Sequence, residues 1–331
     1  MKNTHAENII ERQYRSAIYL TALLLTAGLQ THSAQAQDQT NAPAADKGAP
    51  LPLHQIEGNG GIFSTLSAYI VNPPRNGELF GRPSLGFAYV DVGHGQDLEA
   101  LTLTESPLSR VELGFGYNNF NLGNLPQDVS LATSGGLNLK ESAVQLYNFN
   151  ARVQIIKEGD FDQKWLPAVT AGVHYKYNDT YDDVNKDLDG TLKAIGVSQN
   201  DGADFTLYAS KLITQLPRPV LLEAGGRATE GVWNGLLGFT DRYNFLFEGN
   251  AVVFVTSNLA LAAEYKQMAT DYNTVTVGNS HLIGKAGDWW TLDAAYVVNK
   301  HLTFAVGYGY FGTVLNNQAD GVWGITTKWE F

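Results

Sequence analysis

The stretch His301–Phe311, HLTFAVGYGYF, alternates between large apolar side chains and small ones. Successive side chains of a β-strand point to opposite sides of the sheet. The pattern therefore predicts a strand with one apolar face and one small or polar face. The apolar face holds Leu302, Phe304, Val306, Tyr308 and Tyr310, and the other holds Thr303, Ala305, Gly307 and Gly309.

The same alternation continues on both sides of this stretch, in Trp290–Val298 and Val322–Phe331. A soluble β-sandwich would also alternate, but its outer face would carry fewer aromatic residues. An outer-membrane barrel has an apolar exterior with aromatic girdles and a polar lumen. The sequence therefore predicts an all-β chain that folds as a transmembrane antiparallel up-and-down β-barrel.

The number of strands follows from counting alternating segments. Single-chain bacterial barrels have an even number of strands. The apolar stretch Ile62–Val71 would be a thirteenth, so we interpret it as a pre-barrel segment that packs in the lumen or the periplasm. A missed strand and a total of fourteen remain the alternative. The twelve predicted strands lie near residues 84–92, 98–105, 109–119, 142–156, 166–177, 203–213, 219–228, 243–255, 258–268, 288–298, 301–311 and 322–331.

Connections of two lengths alternate along the chain. Tight turns such as Asn299-Lys300 and Thr256-Ser257 belong on the periplasmic side, and long links belong on the outside. The predicted long links are residues 120–140, 178–202, 229–241 and 269–287.

The N-terminus has the pattern of a secretory signal. Basic residues within Met1–Arg15 precede the apolar stretch Ser16–Leu29, and Ala34-Gln35-Ala36 supplies a small-residue cleavage site. The apolar stretch is shorter than the ~20 residues that span a bilayer. We expect a signal peptide at 1–36, a flexible leader and pre-barrel segment at 37–83, and the barrel at 84–331. The protein would then reside in the cell outer membrane of a Gram-negative bacterium.

Composition limits the classes of partner. The chain has 22 Lys and Arg against 33 Asp and Glu, a net charge of −11. Nucleic-acid binding, which needs clustered basic residues, is therefore not expected. The sequence contains no cysteine, so disulfides and thiolate metal sites are excluded.

Ionisable residues collect on the predicted lumen face. They could form a polar network that braces the barrel, or they could line a path for a small-molecule solute. The first interpretation favours a plugged structural or surface-binding barrel that acts through its outer loops, and the second favours a porin-like channel, which we take as the first hypothesis. The lumen-lining candidates are Arg110, Glu112, Arg152, His174, Lys176, Glu223, Arg227, Glu248, Glu264, Lys266, Asp293, Lys328 and Glu330.

The loop Tyr181–Gly196 supports two interpretations. Asn185, Asp187, Asp189 and Gly190 match the opening of a calcium-binding EF-hand loop, but its twelfth position is Gly196 where a bidentate Glu is needed. Apolar residues at helical spacing instead predict a short amphipathic helix that packs over the mouth or enters the lumen. Those residues are Val184, Leu188, Leu192 and Ile195.

No catalytic constellation is recognisable. After the predicted cleavage site the histidines are His54, His94, His174, His281 and His301, and none lies in a known motif. A G-x-S-x-G nucleophile motif is also missing from the sequence. We therefore expect no enzyme, no cofactor and no metal site.

The chain ends on Trp329-Glu330-Phe331, an aromatic end to the last strand. Such an ending resembles the signal that outer-membrane insertion machinery reads. Trp329 and Phe331 are therefore the candidate membrane-assembly signal, with outer-membrane lipid and the barrel-assembly machinery as the expected partners.

Several motifs resemble an uncharacterised proteobacterial family of predicted outer-membrane barrels, catalogued as a domain of unknown function. The resemblance covers about Gln55–Phe331 and implies the fold and the location, without a substrate or an active site. The motifs are RVELG at 110–114, FNAR at 149–152, PAVTAGVH at 167–174, DFTL at 204–207, FEGN at 247–250, NKHLT at 299–303 and KWEF at 328–331.

Overall fold

The computed structural model describes residues 52–75 and 77–331. The predicted signal peptide 1–36 and the first part of the predicted leader, residues 37–51, lie outside the described residues. Helices α1 (Leu125–Ala132), α2 (Tyr181–Asp187) and α3 (Thr191–Ala194) are short. The strands are β1 (Leu53–Gln55), β2 (Asn59–Gly61), β3 (Ser84–Gly93), β4 (Gln96–Leu108), β5 (Val111–Leu122), β6 (Ala143–Ile156), β7 (Ala168–Asn178), β8 (Asp201–Ile213), β9 (Val220–Val232), β10 (Gly238–Phe254), β11 (Leu259–Lys266), β12 (Val275–Val277), β13 (Ser280–Ile283), β14 (Trp289–Val297), β15 (Leu302–Tyr310), β16 (Gly312–Val314), β17 (Asn317–Ala319) and β18 (Val322–Glu330).

Twelve of these strands form one closed antiparallel barrel, in the order β3 to β11, then β14, β15 and β18. The barrel closes where β18 pairs with β3, from Trp323 opposite Asp91 to Glu330 opposite Ser84. The prediction of twelve strands is confirmed, and the alternative of fourteen is wrong for the described residues.

The outside of the barrel is apolar and aromatic. Tyr265 and Trp290 lie on neighbouring strands with ring centroids 4.4 Å apart, and Phe115 and Phe149 form a similar pair at 5.4 Å. Such an exposed aromatic surface on a closed barrel is typical of outer-membrane barrels. None of the helices in residues 52–75 and 77–331 is long and apolar enough to cross a membrane.

The long links gather at one end of the barrel, called the outer end, and most short turns gather at the other, the inner end. One predicted long link is wrong. β9 and β10 run on beyond the predicted boundaries, so only residues 233–237 connect them instead of 229–241. Polar residues such as Thr229 and Asn244 interrupt the apolar alternation, but backbone pairing continues through them, with a register shift between Phe239 and Asn244.

The segment Pro52–Val71, here called the plug, lies inside the barrel. Every residue from 52 to 71 is buried. It begins with the small β1–β2 hairpin, and residues 72–83 then lead to the start of β3. Ile62–Val71 therefore packs in the lumen, one of the two places allowed by the pre-barrel interpretation.

Candidate functional site: the plugged lumen

Glu57 is the charged centre of the plug. Its carboxylate lies 2.8 Å from the Arg227 guanidinium, 3.2 Å from the Lys266 ammonium and 3.3 Å from that of Lys176. The hairpin turn that presents it contains Gly58, whose φ of +87° is a left-handed conformation suited to glycine. One carboxylate of the plug thus contacts cations from three different barrel strands.

Two carboxylates of the barrel wall complete this cluster. Asp204 lies 2.6 Å from Arg227 and 2.9 Å from Lys176, and Glu248 lies 2.7 Å from Arg227. The cluster therefore contains three acids and three bases. The acids are Glu57 of the plug and Asp204 and Glu248 of the wall. A buried charge is costly unless it is paired, so the plug contributes a charge that the wall needs.

Glu264 binds the backbone of the plug. Its carboxylate accepts hydrogen bonds from the N–H groups of Phe63 at 3.2 Å, Ser64 at 3.2 Å and Thr65 at 2.8 Å. The hydroxyl of Thr291 donates to the same carboxylate at 3.0 Å. Successive N–H groups that converge on one carboxylate form a charge-assisted anchor.

A second backbone anchor is the pair Glu112–Arg152. The two side chains form an ion pair of 3.1 Å. Glu112 also accepts from the N–H of Gly60 at 3.0 Å and of Val71 at 2.8 Å. Arg152 donates to the carbonyls of Gly60 at 2.8 Å and Tyr69 at 2.9 Å. The pair therefore joins the middle of the plug and its C-terminal end to the same place on the wall.

Further wall residues bind the plug near its ends. Lys328 donates to the carbonyl of Pro52 and pairs with Glu330 at 2.6 Å. Glu223 accepts from the Ser67 hydroxyl and from Asn250, the latter at 2.8 Å. The charged wall is thus shaped around the backbone and polar groups of the plug.

A family model described as "Protein of unknown function (DUF3034)" matches residues 54–326. The chain belongs to this family. The match begins inside the plug, so the family pattern includes the plug as well as the barrel. No curated protein matches the chain.

The fold of this family member is similar to several solved structures. The outer membrane protein Omp33 of Acinetobacter baumannii is 12% identical, with a TM-score of 0.41, covering 76% of this chain and 99% of that one. The KdgM porin is 10% identical, with a TM-score of 0.43, covering 75% and 99%. An outer membrane channel from Pseudomonas putida F1 is 9% identical, with a TM-score of 0.43, covering 78% and 100%.

The structure brings twelve of the thirteen lumen-lining candidates together as buried side chains inside the barrel. Their burial follows the strand alternation from which they were predicted. They are Glu112, Arg152, His174, Lys176, Glu223, Arg227, Glu248, Glu264, Lys266, Asp293, Lys328 and Glu330.

Arg110 is the exception, and its assignment to the lumen is corrected. It lies in the turn between β4 and β5, with 42% of its side chain exposed, and pairs with Asp160 at 2.8 Å. The backbone N–H of Lys157 and then Arg110 hold the pKa of Asp160 below its usual value. The alternation predicts a strand from residue 109, but β5 begins at Val111, so Arg110 falls in the turn before it.

The candidate assembly signal lies at the end of β18. Trp329 stacks on the ring of His301, with centroids 5.6 Å apart, and Phe331 is exposed. Recognition of these residues by insertion machinery stays a prediction.

Loops cover the outer end with an apolar layer, here called the cap. It comprises the three helices, the hairpins β12–β13 and β16–β17, and the turn at Trp233. Beneath it the inward face of the wall is apolar, as at Val90, Val92 and Leu98. The expectation of a polar inward face is therefore wrong at this end, because these side chains pack against the cap instead of facing the plug's charges.

Polar contacts hold the cap in place. Burial raises the pKa of the Tyr272 phenol to about 12, and its hydroxyl donates to the carbonyl of Gly284 at 2.8 Å. The Lys140 backbone N–H, at 2.8 Å, lowers the pKa of Asp187 and joins two separate loops.

The loop Tyr181–Gly196 forms two helices, α2 and α3, instead of one. Gly190, with φ of +78°, lies between them. The four apolar residues that predicted the helix are all buried in the cap, so the loop packs over the mouth of the barrel. They are Val184, Leu188, Leu192 and Ile195. Within residues 52–75 and 77–331 no group of three or more His, Cys, Asp or Glu could hold a metal ion.

Sequence reasoning missed Glu57 and Asp204. Asp204 carried a usable signal, because it alternates with the outward Phe205 in β8. Glu57 lies in the glycine-rich stretch Glu57–Gly61, which has no periodicity. Its one usable signal is that it is the single charged residue of Pro52–Val71.

Proposed function

We propose that the protein is an outer-membrane channel for small solutes whose described conformation is closed by its own plug. The observation that carries this proposal is the match between a charged lumen wall and a separate N-terminal segment. The plug is not a strand of the barrel, and residues 72–83 join it to β3. Its displacement would leave the pairing of all twelve strands unchanged.

The chemistry of the wall supports a lumen that can become aqueous. A permanently closed barrel gains little from buried ion pairs, since well-packed apolar side chains of similar volume are often as stabilising. Lys176, Arg227 and Lys266 keep Asp204 and Glu248 as partners when Glu57 leaves. Water can solvate the remaining charge, so the wall suits a wet path as well as a plugged one.

The cap favours a second candidate, a plugged barrel that acts through its outer loops. The cap buries apolar side chains against the barrel wall at the outer end, among them Leu188, Leu192 and Trp233. A solute path through the outer end would have to part this apolar layer. In the second candidate the plug and the cap are both permanent.

Conductance in planar lipid bilayers separates the two candidates. We would compare the chain from residue 37 onward with the Glu57→Gln variant and with a deletion of residues 37–71. Glu78→Gln, in the exposed connector between plug and barrel, is the matched control, because among the described residues its carboxylate contacts the nearby Arg75 N–H and the Arg82 guanidinium, each at 3.0 Å.

For a plugged channel, Glu57→Gln should add brief openings and the deletion should conduct steadily, while Glu78→Gln should behave as the parent chain. Folding is checked by heat-modifiable gel migration. A folded deletion variant that stays silent, even after Leu192→Asp is added to disrupt the cap, would reject the channel and leave the second candidate.

A further inference from the structure

The three cations that contact Glu57 form a binding site for a carboxylate. They are Arg227, Lys176 and Lys266, from three different barrel strands. We propose that this site also binds the carboxylate of a small organic monoacid, which competes with Glu57 and thereby releases the plug. The role of this monoacid as a solute rests on the proposed function, but its binding does not require conduction.

The wall contacts each oxygen of the Glu57 carboxylate separately. Oε1 lies 3.3 Å from the Lys176 ammonium and 3.2 Å from the Lys266 ammonium, and Oε2 lies 2.8 Å from Nη1 of Arg227. Hydrogen bonds between ionised groups are roughly twice as strong as those between neutral groups. The donors are therefore arranged around two acceptor oxygens of one carboxylate, an arrangement that a spherical anion such as chloride does not match.

The charge of the cluster selects a monoanion. Asp204 contacts Lys176 at 2.9 Å, and Glu248 contacts Arg227 at 2.7 Å. When Glu57 leaves, three bases and two acids of the cluster remain, and one positive charge is without a partner. One carboxylate restores the balance, whereas a dianion would leave a negative charge in excess. Buried charges are costly unless they are paired, so the site favours an acid with a single charge.

Arg227 has one donor that the plug does not use. Its Nε donates to Glu248 at 2.7 Å, and its Nη1 donates to Glu57 at 2.8 Å and to Asp204 at 2.6 Å. Its Nη2 is buried and has no acceptor within residues 52–75 and 77–331. Arginine often binds a carboxylate through two parallel N–H bonds. A carboxylate that is not tethered to the plug backbone could gain this additional contact.

Binding of the monoacid should shift the plug toward its released state. The monoacid and Glu57 need the same three cations, so the site binds a monoacid after Glu57 has left. A ligand that binds one of two states shifts the equilibrium toward that state. Glu264 and Glu112 still hold the plug backbone, for example at the N–H groups of Thr65 and Val71. The monoacid therefore lowers the free energy needed for release and leaves these other anchors to be broken.

Calorimetric titration with sodium acetate measures the site in the refolded chain from residue 37 onward. Glu57→Ala removes the competing carboxylate, and acetate matches the CH₂–COO⁻ group that is lost. Acetate should bind Glu57→Ala at least about tenfold more tightly than the parent chain, because a site that is only fractionally available has a lower apparent affinity. Glu78→Ala, in the connector between plug and barrel, removes a carboxylate that contacts Arg82 and should bind acetate as weakly as the parent.

A second variant and two other probes test the chemistry of the site. Adding Arg227→Gln to Glu57→Ala leaves two bases and two acids in the cluster, so acetate binding should be lost in a barrel that still folds. Acetamide has a similar shape without the charge, and sodium chloride supplies a spherical anion. Neither should bind Glu57→Ala as acetate does.

Release of the plug is measured with a thiol in place of Ser64, which is buried in the plug. Acetate at several times its dissociation constant should speed maleimide labelling of Ser64→Cys at least about threefold, and equal sodium chloride should not.

Equal acetate affinity in Glu57→Ala and Glu78→Ala, equal effects of acetate and chloride, or undiminished binding after Arg227→Gln would each overturn the proposal. A barrel that binds acetate as expected but never conducts would reject the channel and keep this site.

Discussion

Glu57 of the plug and Arg227 of the barrel wall, 170 residues apart in the chain, form an ion pair of 2.8 Å inside the barrel. Arg227 also contacts Asp204 and Glu248 of the wall. Glu57 therefore adds a third carboxylate to ion pairs that the wall residues form among themselves. The plug is therefore held by identified side chains at separate places along its length, and the contribution of each can be tested by a single substitution.

Neutralising Glu57 should loosen the plug. Removing one partner of a buried ion pair costs about 3–5 kcal/mol, and about 1.4 kcal/mol already corresponds to tenfold in an equilibrium. A cysteine in place of the buried Ser64 is a unique thiol, because the chain has none. Maleimide labelling of Ser64→Cys should be at least about tenfold faster with Glu57→Gln than without it.

Glu78→Gln combined with Ser64→Cys is the control for that experiment, since Glu78 lies in the connector and pairs with Arg82. It should label as slowly as Ser64→Cys alone. Equal labelling rates with Glu57→Gln and Glu78→Gln would show that Glu57 does not anchor the plug.

A substitution that changes no charge should have a similar effect. Gly58 has φ of +87°, and a Cβ atom there would lie 2.3 Å from the carbonyl oxygen of Phe115. Gly58→Ala therefore combines a left-handed backbone, which costs a side chain about 1–2 kcal/mol, with a steric clash. The same thiol reporter should label faster. Gly77→Ala is the control, because φ is +89° there but no atom lies within 4 Å.

The carboxylate of Glu264 should protect three consecutive amides of the plug from hydrogen exchange. Hydrogen bonds to charged groups contribute about 1.5–3 kcal/mol each. Glu264→Gln should raise the exchange rates of Phe63, Ser64 and Thr65 at least about tenfold, measured by mass spectrometry of peptides from this segment. The amides near Gly60, held by Glu112, should change less. Uniformly faster exchange would indicate global destabilisation instead.

Ion selectivity should distinguish two arginines of similar predicted role. Arg152 is buried at the wall, whereas Arg110 lies in an exposed turn. In the plug-deleted barrel, Arg152→Gln should shift the reversal potential toward cation preference, because a positive charge leaves the path. Arg110→Gln should shift it much less. The reverse order would place the conducting path away from Arg152.

The cap should open when a charge is buried in it. Leu192 is 1% exposed, and its neighbour Lys193 is exposed. Burying an unpaired carboxylate is strongly unfavourable, so Leu192→Asp should make loop residues 179–200 sensitive to proteinase K in proteoliposomes. Lys193→Asp introduces the same side chain at the surface and should leave the loop resistant. Resistance of both variants would contradict an apolar cap at this position.

Side-chain alternation determined the barrel from the sequence alone. Successive side chains of a strand point to opposite faces. One face of each barrel strand meets the membrane and the other meets the interior, so the two faces need different side chains. The sequence therefore predicts the strands and most of the lumen residues. Twelve strands and their approximate positions followed, including β15 and β18 around HLTFAVGYGYF.

Only the tertiary structure decided what fills the barrel. The plug has no period, and Glu57 gains its partners from strands more than a hundred residues away. The buried apolar cluster that contains Trp233 and Trp289 likewise combines loops and strands that no local pattern connects. Strand formation depends on neighbouring residues, whereas these contacts depend on barrel closure, which brings distant side chains into one enclosed space.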